Sequence, residues 1–244
     1  MKRILLLTSV LISAFGFSQI ALTRHDGTPV SNGQVLAFNS NSGTAAEFDF
    51  YVKNTSSTAS VNVKINCMSL VNTDGFGFEL CFGNECLPDV EEGMTYPINT
   101  PYVTLPPLGQ SGNDGHFLNT PVASNTAPFP KDYVFRFFQS GNPPGSNTID
   151  VTYRYDPNLS NEEISQLQSS GVIVKSTLVE NELVLDVLKG DSMVIYDLNG
   201  KAVLTSKLNY GIQNISVSDL SSGVYIINFI SSEGNTSTKK FIKK

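Results

Sequence analysis

Long apolar runs, histidine and positive charge are all scarce in this chain of 244 residues. Its N-terminal apolar run, residues 4–15, falls short of the roughly 20 residues a spanning helix requires, and no later stretch comes near that length. No transmembrane segment is expected in the mature chain. Two histidines, His25 and His116, offer little for general-base chemistry. Each stands near Gly and Asp in a loop-like stretch, where polar residues are commonly solvated. Lys and Arg number 16 against 22 Asp and Glu. The shortfall lies in residues 19–171, with 6 against 15 (net −9), whereas residues 172–244 carry 8 against 7 (net +1). Nucleic-acid affinity comes chiefly from Lys and Arg neutralising phosphates, so the acidic part excludes nucleic acid as a partner.

Signatures of catalysis are missing as well. Gly109-Gln110-Ser111-Gly112 lacks the spacing of a nucleophile elbow. Asn113-Asp114 with Asp89, Glu91 and Glu92 could lend oxygens to calcium, but no calcium-loop pattern joins them. No catalytic, cofactor-binding or metal-ligating residue is named, and no cofactor is expected.

Cysteine is sparse and odd in number, at three. In an oxidising compartment this means one pair and one thiol left over. If Gly83-Asn84 forms a two-residue turn of type II′, Phe82 faces Glu85 and Cys81 faces Cys86, within disulfide reach. The expected pair is Cys81 and Cys86, with Cys67 as a buried thiol on an apolar face. A redox pair or metal ligands are the competing readings. Redox pairs usually have Cys-x-x-Cys spacing at a helix N-terminus, and zinc needs four ligands.

What the chain does have begins with Lys2-Arg3 ahead of the apolar run. Gly16 and Ser18 place small residues three back and one back from a cut between Ser18 and Gln19. This is the pattern of a secretory signal peptide over residues 1–18. No cysteine stands just after the run, so no acceptor for a lipid anchor is expected.

Period-2 alternation, the mark of strands with one buried face, dominates residues 19–158. Phe48, Phe50 and Val52 form one inward set; Val61, Val63, Ile65 and Cys67 form a second; Phe76, Phe78, Leu80 and Phe82 a third. Ile149, Val151, Tyr153 and Tyr155 form a fourth, with Arg154 outward, while 133–138 is aromatic on both faces, as a doubly buried central strand would be. Turn-formers separate these runs, among them Asn54 to Ser57, Pro106 to Gly109 and Gly141 to Gly145. An antiparallel sandwich is expected. Ser160 and Glu163 make a capping box for a short helix that Gly171 stops, in a linker at 159–171.

Residues 172–244 offer strands at 183–188, 193–198, 202–206, 212–217, 224–230 and 236–242, with a further one at 172–174, enough for a second small sandwich. Asn199-Gly200 is a strong type I′ hairpin signal. Gly223 would let the chain enter the next strand from a bend closed to side chains. Val194 to Lys201, the run Ser222-Gly223-Val224-Tyr225 and the ending Lys239-Lys240-Phe241-Ile242-Lys243-Lys244 resemble the type A C-terminal sorting domain of type IX secretion cargo. The resemblance covers about a third of the chain. It implies an immunoglobulin-like sandwich whose partners are the outer-membrane translocon and its sortase, with export to the cell surface or beyond. It also implies sorting residues at Asn199, Gly200, Lys201, Gly223, Tyr225, Lys239, Lys240, Phe241, Ile242, Lys243 and Lys244. Family members commonly begin with a Tyr-Pro-Asn-Pro-like segment, and 169–177 contains none.

The expected whole is all-β, two antiparallel immunoglobulin-like sandwiches: a signal peptide at 1–18, a passenger at 19–158, the linker and a sorting domain at 172–244. For the passenger, a noncatalytic module binding a glycan or a protein stands beside a small secreted glycan-acting hydrolase with an unidentified acidic site. The 105–127 stretch is the expected contact loop, and Tyr96, Tyr102, Phe117 and Phe129 are the aromatics expected to serve a binding surface, the other reading being small satellite cores. Without the family, the terminal lysines read as charges guarding an edge strand.

Overall fold

The computed structural model describes residues 19–121, 126–141, 147–190, 192–230 and 236–244. The expected signal peptide, Ser18 included, and residues 142–145 of one expected turn lie outside them. The passenger strands are β1 (Ile20–Arg24), β2 (Pro29–Val30), β3 (Gln34–Phe38), β4 (Glu47–Asn54), β5 (Val61–Val71) and β6 (Phe78–Cys81). After them come β7 (Cys86–Leu87), β8 (Thr95–Tyr96), β9 (Val103–Leu105), β10 (His116–Asn119), β11 (Lys131–Gln139) and β12 (Thr148–Tyr155). One sheet runs β2-β1-β4-β10-β6-β7 and the other β3-β12-β11-β5-β8, with β9 also on β5. The paths β1-β4-β10-β6 and β12-β11-β5 follow the two-sheet order of immunoglobulin-like sandwiches.

Alternation placed most inward residues where they are found. Phe48, Phe50, Val52, Val61, Val63, Ile65, Cys67, Phe78, Leu80 and Phe82 are all buried. Their interior is built of rings, with Phe117 against Phe135 at 4.3 Å and Phe50 edge-on to Phe137 at 5.0 Å, pairs worth about 0.5–1.5 kcal/mol each beyond area burial. Three expectations fail. Phe76 precedes β6 in a turn and is 55% exposed. Of the aromatic run in β11, Tyr133, Phe135 and Phe137 are buried, while Val134, Arg136 and Phe138 on the other side are only half-buried. Arg154, expected outward, is buried with Asp132, its cross-strand neighbour, in a two-pronged ion pair of 2.7 Å per contact. A paired guanidinium can be enclosed where a lone one cannot.

Helix α1 (Asn161–Ser170) follows. Ser160 accepts from the Glu163 amide and Glu163 from the Ser160 amide, completing the capping box, and Gly171 closes the helix at φ 68°. Leu167 sits with Val35 and Ala37 of β3 and with Ile173, so the helix joins both bodies through a small apolar cluster of its own.

Beyond it lie β13 (Val172–Val174), β14 (Leu178–Val179), β15 (Glu182–Val187), β16 (Ser192–Tyr196), β17 (Ala202–Lys207), β18 (Gly211–Ser216), β19 (Gly223–Ile230) and β20 (Thr236–Lys243). They form sheets β13-β15-β18 and β14-β20-β19-β16-β17, the A-B-E and G-F-C-C′ order of an immunoglobulin-like domain, with β14 parallel to the last strand. Val172, Leu185, Ile195, Ile227 and Phe241 belong to its interior, and Ile20, Phe50, Phe135 and Tyr153 to the passenger's; the two clusters are separate. Among the described residues no helix is long and apolar enough to cross a membrane.

Candidate functional site

In the C-terminal sandwich, Tyr225 lies at the start of β19, 7% exposed, and its hydroxyl donates to the Ser221 carbonyl at 2.8 Å. A tyrosine at this point bonding back to the preceding corner is a recurrent device of immunoglobulin-like folds. Its ring stacks on buried Phe241 of β20 at 5.5 Å. Both residues act on the fold before they can act on a receptor. Gly223 needs no special backbone: its φ is outside the left-handed range, and an added Cβ would meet nothing nearer than 3.9 Å. The expected forbidden bend is absent.

The Asn199-Gly200 turn also differs from expectation. Gly200 has φ 80°, Asn199 is not in the positive-φ region, and the Gly200 amide donates to the Asp197 carbonyl at 3.0 Å. The loop is a three-residue connection with Gly in the left-handed bulge position, rather than a type I′ turn. Asp197 organises it, its carboxylate accepting from the amides of Asn199 at 2.8 Å and Lys201 at 3.0 Å. The type I′ signature, positive φ at both central residues, occurs instead at Gly83 (70°) and Asn84 (64°), where type II′ was expected. Cys81 and Cys86 face each other across that hairpin and are joined as a disulfide. Cys67 is free and buried, and burial, with Glu92 nearby, pushes its thiol up to about 12.

Strand β20 pairs with β19 along its length and with β14 only at Ile242 and Lys243, so Lys243 stands inside the sheet while residues 236–241 have a strand partner on one side only among the described residues. Register brings several motifs together. Tyr196, ending β16, is opposite Ile226, and Gly223, opening β19, is opposite Lys243. The Asn199-Gly200-Lys201 loop, the Tyr225 corner and Lys243-Lys244 therefore gather at one end of the sandwich. Exposed Leu178, Leu198 and Ile242 share that end with the lysines. Lys240 is exposed opposite Ile226, whereas Lys239 turns aside to pair with Glu162 of α1. The passenger is met near the start of β16, where the Lys189 Nζ donates to the Asn32 carbonyl and the Leu188 and Lys189 amides to that of Gly171.

In the passenger the expected contact region is divided. Residues 116–119 of the supposed loop are strand β10, and Tyr96 and Phe117 are buried in the core; Phe129 packs against it, leaving Tyr102 exposed. The candidate calcium carboxylates are scattered in capping roles. Asp89 accepts from the Gly77 amide, Glu92 from Leu70 and Asp114 from Asn84. A cleft of about 510 Å³ is lined by Arg24, Asp26, Asn39, Glu47 and Gln168, among others. Glycoside hydrolysis would need one of its two carboxyls held as an acid. Asp26 is held below its ordinary range by the Thr28 amide, the wrong direction for that role.

Sheet order also moves both histidines. His116 is in β10, its Nε2 at 2.8 Å from the Glu79 carboxylate, and His25 lies 3.3 Å from Asp49 and 4.3 Å, ring to ring, from Tyr51. Asp49 and His116 are direct cross-strand neighbours. Local periodicity could not have found this meeting of residues far apart in sequence.

Residues 144–244 match the family model described as the secretion system C-terminal sorting domain. The chain ends in a type IX secretion sorting domain. Such a domain implies export to the cell surface or the extracellular space and handling by the type IX system. The match starts upstream of the expected 172 and takes in α1 and β12, although β12 is bonded between β3 and β11 in the passenger sheet. No curated protein matches the chain. Solved structures resembling it include the N-terminal domain of PorA, at 19% identity and TM-score 0.39, covering 57% of this chain and 98% of that one. The Pseudomonas aeruginosa CupB2 chaperone, at 11% and 0.41, covers 88% and 100%, and domains 3 and 4 of rat CD4, at 9% and 0.33, cover 87% and 99%.

Proposed function

We propose that this is type IX cargo whose sorting sandwich, residues 172–244, folds as its own unit and is read by the translocon at the end facing away from the passenger. The supporting observation is the convergence there of Lys201, Lys243 and Lys244 with exposed Leu178, Leu198 and Ile242 around a corner fixed by Tyr225. Buried Tyr225 and Phe241 shape the surface; the lysines and leucines are what a receptor would touch. The signal peptide at 1–18, cut between Ser18 and Gln19, delivers the chain to the periplasm, and a sortase acts in the 159–171 linker.

The passenger, 19–158, is a noncatalytic binding module for a glycan or a protein, its disulfide-closed hairpin and rigid ring-packed core serving as a scaffold for loops. Charge reversal at Lys201, Lys243 and Lys244 tests the sorting reading. Secreted material should fall while the folded chain accumulates in the periplasm. Full secretion of the reversed chain would overturn it.

A further inference from the structure

The outer face of the passenger's first sheet carries a row of groups that the secretion reading leaves unused. Across four adjacent strands Cys86 is opposite Cys81, Cys81 opposite His116, and His116 opposite Asp49. Directly opposed residues share a face, and Glu79, two positions before Cys81, shares it too. Both histidines of the chain and two of its three cysteines thus fall in one patch, since His25 reaches Asp49. Ligand-capable atoms of Glu79, Cys81 and His116 all lie within 4.8 Å of one another.

We propose that this row is a thiol-gated metal site: with the Cys81–Cys86 disulfide reduced, Cys81, Cys86, His116 and Glu79 bind one zinc-class ion, and closing the disulfide abolishes the site. Two thiolates, an imidazole and a carboxylate make the four-coordinate set that zinc prefers, with bonds of roughly 2.0–2.3 Å and so ligand atoms about 3–4 Å apart. Three of these ligand atoms already lie within 4.8 Å of one another, and Cys86, bonded to Cys81, is at hand as the fourth. With the disulfide closed, both sulfurs are bonded to each other and give no thiolate, leaving two ligands of the four. Opening it takes two electrons from a dithiol, which becomes a disulfide while each cysteine sulfur gains a proton. Metal binding then releases both protons. On the export reading above, a folded chain that meets a disulfide oxidant outside the cytoplasm closes the pair: the two thiolates give up two electrons, the oxidant becomes a dithiol, and the ion is expelled.

The test uses the full chain and Co²⁺ as a spectroscopic probe, with a phosphine reductant because a dithiol would compete for metal. The reduced chain should take up one equivalent with a thiolate-to-cobalt charge-transfer band and tetrahedral d–d absorption, displaced by Zn²⁺. The disulfide-closed chain should show neither. His116→Ala and Glu79→Gln should each weaken binding by roughly tenfold or more, the scale seen even for outer-shell losses. Cys86→Ser should remove the charge-transfer band, and Cys67→Ser should leave it unchanged. A reduced chain without the band, folded or not, overturns the proposal, and so does a band that survives intact in both His116→Ala and Glu79→Gln.

Discussion

Replacing Tyr225 with Phe separates a fold-shaping role from a receptor contact. The change removes one hydroxyl and its 2.8 Å bond to the Ser221 carbonyl but keeps the ring on Phe241. A hydrogen bond of this kind contributes about 0.5–1.5 kcal/mol net, and the stranded carbonyl sits near enough to solvent to find water. For a sandwich of this size, each kcal/mol lowers the melting temperature by roughly 4–8 °C. Calorimetry on the full chain should therefore show the C-terminal transition falling by several degrees while the passenger transition stays. Secretion should fall only as far as that lost stability requires, and should recover at lower growth temperature. Gly223→Ala is the companion variant: with nothing within 3.9 Å of the new Cβ, its melting should shift by less than about 0.5 kcal/mol equivalent. A Tyr225→Phe chain that melts unchanged yet is not exported would refute the reasoning, because the hydroxyl would then be a contact and not a corner.

Three further outcomes follow from the packing. Phe241→Ala, at a fully buried site, should cost about 3–5 kcal/mol and abolish export by unfolding, whereas Lys244→Ala should leave melting unchanged and lower export. Asp132→Ala, which strands buried Arg154, should cost about 3–5 kcal/mol in denaturant titrations, while Asp150→Ala, at the half-exposed pair with Arg136, should cost no more than about 1. Alkaline pH should weaken the passenger. Burial raises Cys67 from 9.0 and Tyr133 from 10.0, each to about 12, so the unfolded chain gives up these protons first. Stability present below pH 9 is then lost as pH rises towards 12, by about 4 kcal/mol for Cys67 alone, as chemical denaturation across that range would show.

Much of the architecture was legible because it is written in local pattern. Alternation over 48–52, 61–67 and 149–155 requires one wet and one dry face, and the capping box at Ser160 and Glu163 needs only four residues to be recognised. What was hidden depends on long-range pairing. Strand β3 joins β12 in parallel, and β7, β8 and β9 are too short to show a period. Arg154 looks outward by alternation, and only the arrival of Asp132 on the neighbouring strand makes its enclosure tolerable. The row from Cys86 to Asp49 exists because β10 inserts between β4 and β6, which no local signal announces. Turn types failed for a related reason: at Asn199-Gly200 the Asp197 carboxylate selects the conformation, and the dipeptide alone does not.

Truncation before Val172, followed by fractionation of periplasm, cell surface and medium, tests the central claim most directly. A self-contained sorting sandwich predicts that the remaining passenger stays folded, with its disulfide closed, and is held in the periplasm. Passenger appearing outside the cell at the level of the full chain would contradict it.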